Sequence, residues 1–224
     1  MQNSNARPFL LTSIGKKYLM GFTGLVWAGF VLTHMAGNLL IFVGADAYNK
    51  YGHAIVSNPL LVPAEIFLVL AFFTHVALAI KLTIENKMAK GSRYMASPSG
   101  DKAGSLASRT MAIQGSIVLA FIILHIITFK FGTFYETNVG GVAMRDLHKL
   151  IVEVFKQPGY VAWYVVALVF LGFHLKHGFG SVFQSFGLKN DHYAPLINKL
   201  SCLYGFIVAL GFLSQPLYVF FFAN

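Results

Sequence analysis

Charge is scarce in this chain. Only 11% of its 224 residues are Asp, Glu, Lys or Arg, where a soluble domain carries about 25%. Acidic residues are the scarcest, 8 against 17 basic ones, while hydrophobic residues make up 56%. This balance excludes an ordinary soluble domain and points to a chain with several membrane spans. Cysteine is nearly absent too. Cys202 stands alone inside an apolar run. One thiol cannot form an internal disulfide, hold an iron–sulfur cluster or supply a CxxCH haem attachment. Any iron–sulfur chemistry must come from a partner. The net charge of +9 does not read as a nucleic-acid surface, because the basic residues sit between apolar runs and form no single patch. They read as loops on the positive, cytoplasmic side of a membrane. A signal-peptide pattern is also lacking. Residues 1–16 are mostly polar, and the apolar run after them is too long for an h-region. That run reads as a retained first helix.

What the chain has is five apolar runs. About 20 apolar residues span a bilayer. The expected fold is an all-α integral membrane protein with helices at about 17–43, 61–83, 110–131, 160–186 and 197–222. Residues 1–16 are then a cytoplasmic tail, and 17–224 a single membrane domain in which four helices form a haem-binding bundle. Pro63 is tolerated in the first turn of its helix. Gly44 to Pro59 reads as a loop, and Ile84 to Arg109 as a basic one. Within the long connection Gly132 to Pro158, the stretch Arg145 to Phe155 has helical spacing and reads as a short amphipathic helix at the interface. Of the 17 Lys and Arg residues, only Lys50, Lys130, Arg145, Lys149 and Lys156 fall opposite the N-terminal side. The bias predicts a cytoplasmic N-terminus and an outside C-terminus.

Four of the five runs carry one histidine in their apolar part: His34, His75, His125 and His174. A histidine inside a membrane is costly unless something engages it. Depth sorts the four. His34 and His125 come late in outward-running helices, roughly 22–25 Å from their cytoplasmic ends at 1.5 Å per residue. His75 and His174 lie in inward-running helices, about 14–16 Å from theirs by the same count. Two pairs at two levels result, His34 with His125 nearer the outside and His75 with His174 nearer the cytoplasm. Two imidazoles at one depth on different helices suit the two axial positions of a haem iron, a ligation fitted to electron transfer. Zinc would need its ligands converging at one level. A hydrogen-bonded core or a proton relay is the simpler reading of any one histidine; four, one per helix and matched in depth, favour haem. Gly21, Gly24 and Gly115 let helices approach a flat ligand, or each other. Lys17, Arg109, His177 and Gln184 are candidates for the haem propionates. Their alternative roles are anchoring at the headgroups.

In sequence order the segments are Leu32-Thr33-His34-Met35-Ala36-Gly37-Asn38, Phe73-Thr74-His75, Ile123-Leu124-His125 and Gly172-Phe173-His174-Leu175-Lys176-His177-Gly178, with Ser181 and Gln184 following. With a histidine-free fifth helix and a basic loop between the second and third, the chain resembles, over nearly its whole length, the single-chain, five-helix, dihaem cytochrome b anchor of succinate:quinone oxidoreductases. The resemblance implies two haems b held by His34 and His125 (outer) and by His75 and His174 (inner). It implies a flavoprotein partner with covalent FAD and an iron–sulfur partner on the cytoplasmic face, menaquinone as the quinone, and a bacterial cytoplasmic membrane. This chain would be the quinone-reactive subunit of a succinate dehydrogenase or fumarate reductase, and would not itself handle succinate. The quinone is expected near the outer haem. Glu65, the one carboxylate within an expected span, is the candidate for exchanging its proton. Some members carry an acidic residue just before the fourth histidine; here Gly172 stands two before it. Other readings stay open: the cytochrome b of a hydrogenase or formate dehydrogenase, or, without haem, a proton-coupled transporter.

Overall fold

The computed structural model describes residues 8–9, 12–89 and 106–223, with backbone alone at 89 and 106–109. Among the described residues the fold is all-α but for one hairpin. Its elements are α1 (Ser13–Asn38), continued by a 3-10 turn Leu39–Phe42; α2 (Ala45–Val56); α3 (Leu61–Ala89); α4 (Leu106–His125), continued by a π-helical turn Ile126–Lys130; β1 (Glu136–Val139); β2 (Val142–Arg145); α5 (Leu147–Phe155); α6 (Pro158–Ser185); and α7 (Ala194–Phe222). Among the described residues, five helices are long and apolar enough to cross a membrane: Ser13–Phe42, Leu61–Met88, Thr110–Lys130, Pro158–Ser185 and Ala194–Phe222.

The spans extend past their expected ends where the sequence offers caps. Thr12 accepts a hydrogen bond from the Gly15 backbone N–H at 3.1 Å. This satisfies an orphan donor and starts α1 at Ser13, a turn earlier than hydropathy suggests. Pro158 opens α6, where its missing N–H costs nothing. Gly187, at φ +73°, follows the end of α6 in the left-handed conformation that terminates helices.

Two expectations for the connections are corrected. Gly44 to Pro59 is not a loop, since it contains α2. That helix buries Tyr48 and Asn49 on one side and leaves most of the others exposed, so its half-polar sequence has the look of a loop when read by hydropathy. The basic connection is also shorter than Ile84 to Arg109, because α3 runs to Ala89 and α4 starts at Leu106. The amphipathic helix expected within Arg145 to Phe155 is present as α5, capped by Asp146, whose carboxylate accepts from the Lys149 N–H at 3.0 Å.

Packing is centred on α6, which lies against α1, α4 and α7, while α3 packs on α1. The α6–α7 contact is the closest. A Cβ on Gly205 would stand 2.6 Å from the Gly172 carbonyl oxygen, and one on Gly172 would stand 2.9 Å from the Ala209 Cβ. Small residues are what bring helices together in a membrane, where lipid offers no hydrophobic drive between them. On the outward faces Ile66, Phe67, Leu70 and Phe73 of α3 are exposed, as lipid requires. One end of the molecule is closed by α2, the β1–β2 hairpin and α5. Asn49, 2% exposed, ties them: its amide donates to the Asp146 carboxylate at 2.8 Å, and its oxygen accepts from the His148 N–H at 3.0 Å. Arg145 donates to the Gly132 and Thr133 carbonyls at 3.1 Å, fixing the hairpin to the end of α4.

Candidate functional site

A cavity of about 560 Å³ lies between α1, α3, α4 and α6, and α7 contributes nothing to its wall. His75 from α3 and His174 from α6 both line it. The wall is apolar along most of its length (Val31, Phe72, Leu119, Ile122) and polar at one end, where Thr83, Asn86, His177, Ser181 and Ser185 gather. A large apolar cavity with a few convergent polar groups is the form of a small-molecule site. Two features of the wall argue that it is built around a ligand. His174 Nδ1 and Trp27 Nε1 are buried and have no hydrogen-bond partner among the described residues. Leaving a polar group so costs about 1–3 kcal/mol each, and both lie in this one wall. Glycines also flank the two rings. A Cβ on Gly24 would stand 3.3 Å from His75 Cε1, and one on Gly115 would stand 3.7 Å from His174 Cε1.

His34 and His125 meet each other. Their ring centres are 5.8 Å apart and their planes are at 89°. Imidazoles bound at about 2 Å on opposite sides of one metal hold their centres roughly 6 Å apart, so the separation fits a shared iron. Phe30 stacks on His34 at 5.3 Å and 14°. Asn38 donates to the His34 carbonyl at 2.8 Å and accepts from the Tyr48 hydroxyl at 2.5 Å, which links the histidine's turn of α1 to α2. The Tyr164 hydroxyl lies 3.1 Å from His125 Nδ1.

The two pairs stand at different levels, and two helices give the same spacing independently. Gly24 of α1 is beside His75, and His34 lies ten residues further on. Gly115 of α4 is beside His174, and His125 also lies ten residues further on. At 1.5 Å per residue both place the levels about 15 Å apart. The structure thus brings His34 to His125, and His75 and His174 to one cavity. Among the described residues no three His, Cys, Asp or Glu side chains gather in one place.

The remaining candidates divide. His177 lines the polar end of the cavity. Lys17 and Gln184 are exposed and lie outside its wall. The buried lysine is Lys16, paired with Glu85 at 2.5 Å, and on α6 the wall is made by Ser181 and Ser185. The Arg109 side chain lies outside the described residues. Glu65 pairs with Lys130 at 2.5 Å, both half-exposed. It is not the only carboxylate within a span, because the longer α3 includes Glu85. Gly172 faces α7 and not the cavity. Sequence reading missed Thr23, Trp27, Asn38 and Tyr164. A signal existed for the last: Tyr164 precedes His174 by ten residues on α6, the same offset that relates each glycine to a histidine on α1 and α4.

Compared with family models, with curated proteins and with solved structures, the chain finds no match. Fold and hydropathy define it as an all-α, multi-pass membrane protein.

Proposed function

We propose that the chain is a membrane-anchor cytochrome b with two haems b, one held by His34 and His125 and the other by His75 and His174. One observation carries this: His34 and His125, from two spans, have ring centres 5.8 Å apart, and His75 and His174, from two others, line one cavity about 15 Å away by helix rise. Bis-histidine haem supplies reversible one-electron transfer with no open coordination position. The chain's residues do the rest. The histidines present ring nitrogens, apolar walls keep water away, Gly24 and Gly115 leave room beside the rings, and the polar end formed by His177, Ser181 and Ser185 suits carboxylates.

The resemblance in sequence extends the proposal. The chain passes electrons between a succinate- or fumarate-handling flavoprotein with its iron–sulfur partner and menaquinone. The partners dock on the basic cytoplasmic side, and the C-terminus is outside. Glu65 is the proton-exchanging candidate at the outer side, and its ion pair with Lys130 is an acceptor already held in place. The test is a reduced-minus-oxidised spectrum and haem quantitation of the purified chain, repeated for His34→Ala and His75→Ala. The proposal expects two haems b in the native chain, with each variant losing a different one. No haem would end the cytochrome reading and leave the histidines to a proton relay.

A further inference from the structure

Thr23 and His75 meet deep between α1 and α3. Thr23 Oγ1 is 3.1 Å from His75 Nδ1, and Thr23 is 3% exposed, so solvent does not compete for its hydroxyl. A threonine hydroxyl has one proton and a histidine Nδ1 is a donor or an acceptor according to tautomer. Here the direction is decided by the helix. The Thr23 proton is directed at its own backbone, with the Leu19 carbonyl at 2.9 Å and the Met20 carbonyl at 3.1 Å. With that proton used, Oγ1 faces the ring as an acceptor, and the ring must donate. His75 is therefore protonated on Nδ1, and its Nε2 carries a free lone pair. Gly24, next in sequence, closes on the ring at Cε1, so two consecutive residues of α1 fix both the tautomer and the position of one side chain on α3.

We propose that Thr23 is a positioning residue for the inner haem: it locks His75 with Nε2 available for the iron and, through the Nδ1–H bond, sets that iron's redox potential. This rests on the cytochrome reading above. An acceptor on the far nitrogen makes an imidazole a stronger electron donor, which favours the oxidised iron. Removing the acceptor favours the reduced iron and raises the potential. His34 and His125, which would hold the outer haem, lie about 15 Å further along their helices, and none of the described Thr23 side-chain hydrogen bonds reaches them.

The experiment is a redox titration of the purified holoprotein, following the two haems by their visible spectra, for the native chain, Thr23→Val and Thr23→Ser. Valine keeps the volume and removes the hydroxyl; serine restores it. The expected result is that Thr23→Val retains both haems and shifts only the inner one upward. The shift corresponds to a threefold to tenfold change in its oxidised-to-reduced ratio, up to about 59 mV for one electron. Thr23→Ser returns it to the native value. A merely structural role would lower thermal stability without moving one potential selectively. An inner potential unchanged in Thr23→Val, with two haems bound, overturns the role of Thr23 and leaves the cytochrome reading standing. A shift of both haems, or one that serine does not reverse, overturns it as well. A native chain without haem overturns both.

Discussion

Tyr164 stands to His125 as Thr23 stands to His75: its hydroxyl oxygen lies 3.1 Å from His125 Nδ1, and a ring that offers Nε2 to a metal donates from Nδ1 to that oxygen. Tyr164 is 4% exposed, so Tyr164→Phe leaves a buried ring nitrogen unpartnered. That should cost about 1–3 kcal/mol in detergent unfolding and, on the proposed cytochrome function, shift the spectrum of the outer haem alone; a change confined to the inner haem would contradict the pairing. At the cap formed by α2, the hairpin and α5, Tyr135 donates to the Glu153 carboxylate at 2.5 Å. That bond, with burial and the carboxylate charge adding to it, raises the phenol above the ordinary tyrosine value. The sign follows: the bond is present while the phenol is protonated, below the ordinary value, and is lost as pH rises through the raised one. In Glu153→Gln the phenol should titrate at lower pH than in the native chain, read as a difference in phenolate absorbance between the two. Coincident titrations would mean that the bond is absent in solution. At this scale the histidines were legible, because an imidazole in an apolar run is expensive. Thr23 was not. A hydroxyl in a membrane helix ordinarily bonds its own backbone, and only the position of α3 gives its oxygen a second partner.

Among the elements, the five spans were legible because each is apolar on all sides over enough residues to cross a bilayer. The α2 helix was hidden for the opposite reason. It buries Tyr48 and Asn49 toward the cap and carries Gly52, where a Cβ would stand 2.8 Å from Leu147 Cδ1 on α5. Its sequence is that of a helix only once α5 lies against it. Gly172 illustrates the same limit. Read along the chain it is the place where an acidic group is missing; in the fold it is half of the α6–α7 contact. Its partner Gly205 is the sharper probe, because an added Cβ there would meet backbone, which cannot move aside as a side chain can. Gly205→Ala is expected to lower stability in detergent by about 1–3 kcal/mol through overpacking. At Gly159, where a Cβ meets nothing within 4 Å, the same change should be neutral or slightly stabilising. Equal effects at the two positions would mean that α7 does not seat on α6 as described.

For the molecule as a whole, the proposed orientation has a direct test: a reporter fused after Asn224 is expected to be active only outside the cytoplasm. Counting charges by side cannot, however, tell Lys16 from Lys17, since one residue turns a helix by about 100°. The fold separates them, and that difference bears on how the cavity is held shut. The α3 helix packs on α1 and supplies the His75 wall of the cavity. An ion pair reaches it near each end: Lys16–Glu85 to α1 and Lys130–Glu65 to the end of α4. The two pairs are not equivalent. The Lys16 side chain is only 10% exposed, with Glu85 at 40%, whereas Lys130 and Glu65 are 49% and 41% exposed. Solvent screens the second pair, which is worth about 0–1 kcal/mol. Removing Glu85 instead strands a nearly buried ammonium, a costlier change that its own partial exposure tempers to about 1–3 kcal/mol. Glu85→Gln should therefore lower the unfolding temperature more than Lys130→Gln. Adding Lys16→Met to Glu85→Gln should recover part of the loss, because the stranded charge is gone. On the proposed cytochrome function, and with α3 as the movable wall, Glu85→Gln should also release the inner haem faster than the outer one on dilution into a haem acceptor. Equal release rates would show that the wall is held by its packing on α1, with the ion pair a passenger.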